Sequence, residues 1–251
     1  MAAKPGSLRI VYTAMHGVGT ETIQRVFHKA GFHSPILVQA QAAPDPDFPT
    51  VAFPNPEEPG AIDLALETAK AFDAHLVIAN DPDADRCAAA INDPATGWRM
   101  LRGDELGAIF AESIARKIDS GIFANSIVSS SIVRKIAAHY KLDFKETLTG
   151  FKWLAKIENL TFGYEEALGY AVDAKTVNDK DGISAAITLA QIATDLAAEG
   201  KTILDLLDEV WARHGFHATE QISIRCRDLS KVGVILGGLR SNPPTEIAGR
   251  S

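Results

Sequence analysis

Apolar positions recur in short blocks along the chain. Leu8–Thr13 (LRIVYT) and His75–Ala79 (HLVIA) are continuous, β-branched runs, the profile of buried strands. Between them, Thr20–Ala30 has helical spacing, with Thr20 placed as an N-cap and Gly31 as a C-cap. Pro35–Gln39 reads as a second strand. Six prolines crowd Pro44–Pro59, which predicts an extended surface loop. Ala61–Phe72 is an amphipathic helix and Arg86–Asn92 a further strand. This β-α-β-α-β alternation predicts an α/β sheet with helices on its faces.

A second cycle follows Trp98. Helices are expected over Gly103–Ile118, Ser131–His139, Lys152–Asn159, Ile183–Glu199 and Thr202–His214. Strands are expected over Ser126–Ser130, Phe144–Leu148 and Thr161–Tyr164, and Phe216–Arg227 alternates like a strand. The fold class expected is α/β, two consecutive three-layer α/β/α domains with mixed, mostly parallel sheets. Their bounds are set at 1–102 and 103–227. Residues 228–251 are expected to be a linker or the truncated start of a further domain, with a frayed polar end from Ser241 to Ser251.

Composition narrows the class. The 251 residues are 46% hydrophobic and 23% charged, as in soluble globular proteins. A net charge of −7 argues against nucleic acid as a partner. It leaves room for a phosphorylated substrate, because a few cations can reverse the field inside a cleft. Cys87 and Cys226 fit no metal-ligand spacing and read as free thiols of a reducing compartment. Met1–Leu8 has no apolar signal core, and no apolar run reaches the ~18 residues of a membrane span. The expected location is cytoplasmic, with no membrane partner.

The densest chemistry lies in Asp81-Pro82-Asp83-Ala84-Asp85-Arg86, just after a buried strand, where open α/β sheets build sites. In an extended loop, carboxylates at alternate positions point the same way, so Asp81, Asp83 and Asp85 can converge on one hard cation, Mg²⁺ foremost. Arg86 adds a donor for a phosphate oxygen. A solvated acidic turn fits the same letters. An EF-hand does not, since its sixth and twelfth positions would hold Arg86 and Asn92 instead of Gly and Glu. An aspartyl nucleophile of the haloacid dehalogenase type fits poorly, because Asp85 or Cys87 stands where Thr or Val is expected.

Other segments carry weaker signals. Glu165 and Glu166, between Gly163 and Gly169, suit acceptance from sugar hydroxyls, and equally suit an acidic turn. Lys152, after Thr149-Gly150-Phe151, could meet an anion at a helix start or be a solvated lysine. Asp179 and Lys180 form a possible substrate loop, with Asp179 or Asp181 equally suited to capping the next helix. His16, beside Gly17 after the first strand, is placed to meet a phosphate, although a lone histidine is usually structural. There is no Gly-x-Ser-x-Gly elbow, P-loop or dinucleotide fingerprint.

Together these segments resemble the α-D-phosphohexomutase superfamily, the phosphoglucomutase/phosphomannomutase enzymes, most closely the bacterial phospho-sugar mutase branch. Tyr12–Gly19, Phe53–Glu58, Asp81–Arg86, Gly103–Gly107, Thr149–Lys152, Gly163–Tyr170 and Asp179–Gly182 occur in the family's order. The resemblance implies that Asp81, Asp83 and Asp85 bind Mg²⁺ and that Glu165 and Glu166 contact sugar hydroxyls. Ala167 stands where many relatives have Ser, which removes one hydroxyl contact. It also implies intramolecular phosphoryl transfer, glucose or mannose 1-phosphate to 6-phosphate, through a phosphoserine. Neither the Ser-His-Asn-Pro loop of the family's first domain nor the phosphate clamp of its fourth is found. The chain is expected to correspond to the middle two domains, inactive alone, with domains one and four as missing partners. The alternative is a non-catalytic module that binds Mg²⁺ and a sugar phosphate, or a partner subunit.

Overall fold

The computed structural model describes residues 8–220 and 228–246. The first sheet has the order β2-β1-β3-β4-β5, built from β1 (Ile10–Thr13), β2 (Ile36–Leu37), β3 (Leu76–Asn80), β4 (Cys87–Asp93) and β5 (Gly97–Met100). β1 runs parallel to β2 and β3, whereas β3–β4 and β4–β5 are antiparallel. Parallel neighbours need long crossovers, supplied here by α1 (Gly19–Lys29) and α2 (Asp63–Ala71). The antiparallel step from β3 to β4 needs only a short loop, and that loop is Asp81–Arg86. The acidic segment therefore sits at the carboxyl end of a central strand with every residue of β3 buried.

The second sheet has the order β7-β6-β8-β9, from β6 (Ile122–Ser126), β7 (Asp143–Thr147), β8 (Leu160–Glu165) and β9 (Gly169–Ala171). β6 is parallel to both neighbours, and β8–β9 is an antiparallel hairpin whose loop holds Glu166. Its helices are α3 (Gly103–Ala115), α4 (Ile132–His139), α5 (Phe151–Leu154), α6 (Gly182–Ala198) and α7 (Ile203–His214). Both halves are thus α/β with mixed sheets, as the hydrophobic pattern predicts.

The halves interlock. Helix α6 packs on β9 of its own sheet and also on α1, β3 and β4 of the other. Its buried Ala185, Ala186, Leu189 and Ala190 join one apolar cluster that runs from Val11 and Ile78 through Phe110 to Phe162 and Tyr164. Met1–His217 accordingly forms one compact unit and Ala218–Ser251 a second.

Several local expectations are corrected. Helix α1 starts at Gly19 with Val18 as its cap residue, and the Thr20 hydroxyl donates instead to the Ala42 carbonyl (2.7 Å). Gly31 does end it in left-handed conformation, φ +81°. Ser126–Ser130 is not a strand: β6 ends at Ser126, and Ile127 and Val128 are exposed in the turn that follows. The strands β5 and β9, of four and three residues, went unpredicted. Residues 216–220 have no regular structure, and the rest of the strand expected to Arg227 lies outside the described residues. A helix, α8 (Ser230–Ser241), occupies part of the expected linker, and none of its residues is buried. Cys87 is a buried free thiol, while Cys226 lies outside the described residues. Among the described residues, no helix is long and apolar enough to cross a membrane.

Candidate functional site

The Asp81–Arg86 loop is held from three sides. Its turn closes through Ala84 N–H to the Asp81 carbonyl (2.9 Å), with Ala84 left-handed at φ +59°. Val18 N–H donates to the Pro82 carbonyl (2.9 Å), and Gly182 N–H to the Ala84 carbonyl (3.1 Å). Close approach requires glycine at two of these supports. A Cβ on Gly17 would collide with the Pro82 backbone, and one on Gly182 with the Ala84 and Arg86 carbonyls. Beneath the loop, Asn80 Nδ2 donates to the Arg86 carbonyl (2.6 Å) and accepts at Oδ1 from the Tyr12 hydroxyl (2.9 Å). Burial pushes the Tyr12 phenol well up, so it stays a donor.

The three carboxylates differ in setting. Asp81 is 1% exposed, Asp85 intermediate and Asp83 exposed, yet ligand oxygens from all three lie within 4.8 Å of one another. Arg86 grips Asp81 twice, through its backbone N–H to Oδ1 (2.9 Å) and Nε to Oδ2 (2.6 Å). Its Nη1 donates to Asn55 Oδ1 (3.3 Å), and its Nε stands 3.8 Å from Asp85. Lys180 pairs with Asp85. Burial works against the Lys180 charge, but Asp85, then Asp179 and Asp83, outweigh it and raise its pKa. Three carboxylates thus face two fixed cations.

The second sheet brings its acidic pair alongside. Cys87 N–H donates to the Leu168 carbonyl (3.0 Å), and Arg86 and Gly169 form an antiparallel bridge, so the β3–β4 and β8–β9 loops are stitched edge to edge. Leu168 takes φ +66° in the tight hairpin. A Cβ on Gly103, at the start of α3, would run into the Glu166 carbonyl. Glu165 Oε1 accepts from Gly150 N–H (2.5 Å), and Glu166 Oε2 accepts from the hydroxyls of Ser129 (2.7 Å) and Ser126 (3.1 Å).

The expected site residues divide accordingly. Asp81, Asp83, Asp85, Arg86 and Lys180 form one cluster, and Glu165 and Glu166 adjoin it across the Arg86–Gly169 bridge. Asp179 is exposed, and its Oδ1 accepts from Lys180 N–H (2.7 Å). Asp181 is the cap of α6, accepting from Ile183 and Ser184 N–H. Lys152 is exposed on α5, with Nζ 5.8 Å from the Trp153 ring centre. His16 is buried at φ +63°, its Nε2 2.8 Å from Thr50 Oγ1. Among the described residues, neither the His16 ring nor Lys152 Nζ hydrogen-bonds to either acidic loop.

Residues not singled out from the sequence join the site. Asn55 braces Arg86, and Ser126 and Ser129 hold Glu166. Glu57, two residues from Asn55, has its pKa raised by burial; the Arg86 charge opposes this, and Glu166 and Glu58 add to it. Only the Phe53–Glu58 motif hinted at Asn55 and Glu57.

The donor set fits a hard dication. All three first-choice ligands are carboxylate oxygens, each with lone pairs beyond those the cations use. Ligand oxygens of all three already lie within 4.8 Å of one another, near enough for one cation to draw them together.

The chain matches phosphoglucomutase/phosphomannomutase alpha/beta/alpha domain II over residues 1–97 and domain III over residues 102–214. It is 47% identical over 252 residues to a protein of Haemophilus influenzae named probable phosphomannomutase, covering 99% of this chain and 52% of the relative. It is 35% identical to phosphopentomutase of Mus musculus, covering 95% of this chain and 41% of the relative. The chain therefore spans about half or less of the length of these relatives. The crystal structure of the exocytosis-sensitive phosphoprotein parafusin, a phosphoglucomutase of Paramecium, superposes with a TM-score of 0.71 at 20% identity, over 93% of this chain and 42% of that one; at that identity the likeness bears on fold alone. The chain belongs to the phosphoglucomutase/phosphomannomutase family, of which it carries domains II and III.

Proposed function

We propose that this chain supplies the cation-binding and sugar-binding loops of a phosphosugar mutase acting between hexose 1- and 6-phosphates. The observation that carries the reading is the stitching of the two acidic loops by Arg86, Cys87, Leu168 and Gly169, which sets a dication-type cluster beside a carboxylate pair. Relatives named for phosphomannomutase and phosphopentomutase activity support the substrate class.

Asp81, Asp83 and Asp85 would hold Mg²⁺. Bound there, the cation would offset charge on a transferring phosphoryl group. Arg86 has its Nε and Nη1 committed to Asp81 and Asn55, and its remaining guanidinium protons would donate to a phosphate oxygen. Lys180 adds a second positive group at the same rim. Glu165 and Glu166 accept hydrogen bonds from the sugar hydroxyls and so orient the ring. His16 and Lys152 are proposed to meet phosphate only after rearrangement, since both have local partners. In this reading the phosphoryl-carrying serine is not among these 251 residues, and other domains contribute it.

Calorimetry tests the reading. Glucose 6-phosphate added with Mg²⁺ gives saturable heat, and the Glu165→Gln/Glu166→Gln double variant weakens it by about 10-fold or more. A folded wild-type chain that gives no heat contradicts the proposal. In a coupled assay from glucose 1-phosphate the chain alone shows no turnover, and robust turnover would place the nucleophile within it.

A further inference from the structure

The hydrogen-bond pattern around Glu166 assigns a job to a turn that no motif covers. Ser126 ends β6, its backbone carbonyl accepts from Ser129 N–H (3.1 Å), and the two hydroxyls are 2.8 Å apart. A serine hydroxyl has one proton and two lone pairs. Ser129 gives its proton to Glu166 Oε2 at 2.7 Å, and its lone pairs face Glu166 N–H (3.1 Å) and the Ser126 hydroxyl. One side chain thus fixes both the backbone and the carboxylate of the same glutamate. The Ser126 hydroxyl has one proton for two acceptors, Ser129 Oγ at 2.8 Å and Glu166 Oε2 at 3.1 Å, so Ser129 is the closer and committed donor to Oε2. Among the described residues, Oε1 of Glu166 accepts no hydrogen bond.

The turn is itself anchored from below. Asp104, 7% exposed in the first turn of α3, accepts at Oδ1 from Ser130 N–H (2.8 Å) and from the Tyr164 hydroxyl (2.9 Å). Burial, reinforced by Asp104, pushes the Tyr164 phenol up and keeps it a donor. The chain of contacts runs from the buried sheet, through Asp104 and Ser130, to Ser129 and then Glu166.

We infer that Ser129 is the positioning residue of the sugar subsite: it engages one oxygen of Glu166 so that the other faces the ligand in a fixed direction. This rests on the function proposed above, in which Glu166 contacts a sugar hydroxyl. An oxygen already holding the Ser129 proton, with the Ser126 hydroxyl 3.1 Å away, offers less to a further donor than Oε1 does, so the orientation selects which lone pairs meet substrate. The Glu165 carboxylate is treated alike, with Oε1 committed to Gly150 N–H.

The test uses the full chain carrying glutamate labelled with ¹³C at Cδ, with the Glu166 signal identified by its loss in Glu166→Gln. Ser129→Ala shifts that signal and Ser129→Thr, which keeps the hydroxyl, returns it towards wild type. Calorimetry on the same samples finds glucose 6-phosphate binding weakened about 10-fold in Ser129→Ala and restored to within about 2-fold in Ser129→Thr, with Mg²⁺ affinity unchanged. An unmoved Glu166 signal in Ser129→Ala overturns the clamp whether or not sugar binds. A moved signal with unchanged sugar affinity overturns its role in the subsite. Wild type that binds no glucose 6-phosphate, with the signal moving as described, contradicts the functional reading while leaving the clamp supported.

Discussion

The two acidic loops of this molecule solve the same problem with different chemistry. Asp81, 1% exposed, is gripped by a guanidinium, and Asp85 is paired with an ammonium. Glu165 and Glu166, half-buried across the bridge, are held by a backbone N–H and two hydroxyls, all neutral donors. Three carboxylates crowded at one loop repel one another, and fixed cations lower that cost before any ligand arrives. A pair meant for neutral hydroxyls keeps its charge uncompensated when neutral donors hold it, and each glutamate keeps one oxygen open to accept. The second half does contain a buried charge network, but around Glu112, where Arg116, Arg213, His214 and the Tyr140 hydroxyl converge. Glu112 lies nine residues along α3 from Gly103, about 13 Å at helical rise, so this network supports the helical layer and not the loop. Charge is spent at the site in one half and beneath it in the other.

The largest break in that comparison is Asp81→Ala. It strips Arg86 of its buried partner and should cost about 3–5 kcal/mol, read as a fall in the urea midpoint. Ser126→Ala, which removes only a neutral donor from Glu166, should cost about 1 kcal/mol in the same experiment. Equal losses would erase the distinction between the loops.

Steric support sharpens it. Gly17→Ala pushes on the Pro82 backbone and Gly103→Ala on the Glu166 carbonyl, so each should cost about 1–3 kcal/mol through overpacking. Gly17→Ala should weaken Mg²⁺ binding and leave sugar affinity nearly intact, and Gly103→Ala should do the reverse. Calorimetry with each ligand separates the two. A small effect that spares both loops belongs to Asp181→Ala. It removes the cap of the helix shared by both sheets, costs about 1 kcal/mol in thermal or urea unfolding, and leaves ligand discrimination unchanged.

What was legible in the sequence follows from range. The runs at Leu8–Thr13 and His75–Ala79 declare buried strands locally, and Asp81, Asp83 and Asp85 sit together because one short loop carries them. β9 is too short to show periodicity and exists because Glu165–Gly169 turns back on β8. Thr20 has the letters of a cap, but a carbonyl at Ala42, distant in sequence, takes its hydroxyl. The turn after β6 reads as strand because Ile127 and Val128 are β-branched, yet both are exposed there. Asn55 on Arg86, Lys180 on Asp85 and Ser129 on Glu166 join residues separated by tens of positions, which no local pattern encodes.

The most direct measurement is a Mg²⁺ titration of wild type and Asp83→Ala. Asp83 is exposed and, among the described residues, makes no hydrogen bond, so its removal should leave metal-free stability unchanged. Wild type should show one saturable Mg²⁺ site, and Asp83→Ala should lose about 100-fold in affinity, about 2.8 kcal/mol. Wild type without saturable binding, or Asp83→Ala binding as tightly as wild type, would contradict the proposed cation site.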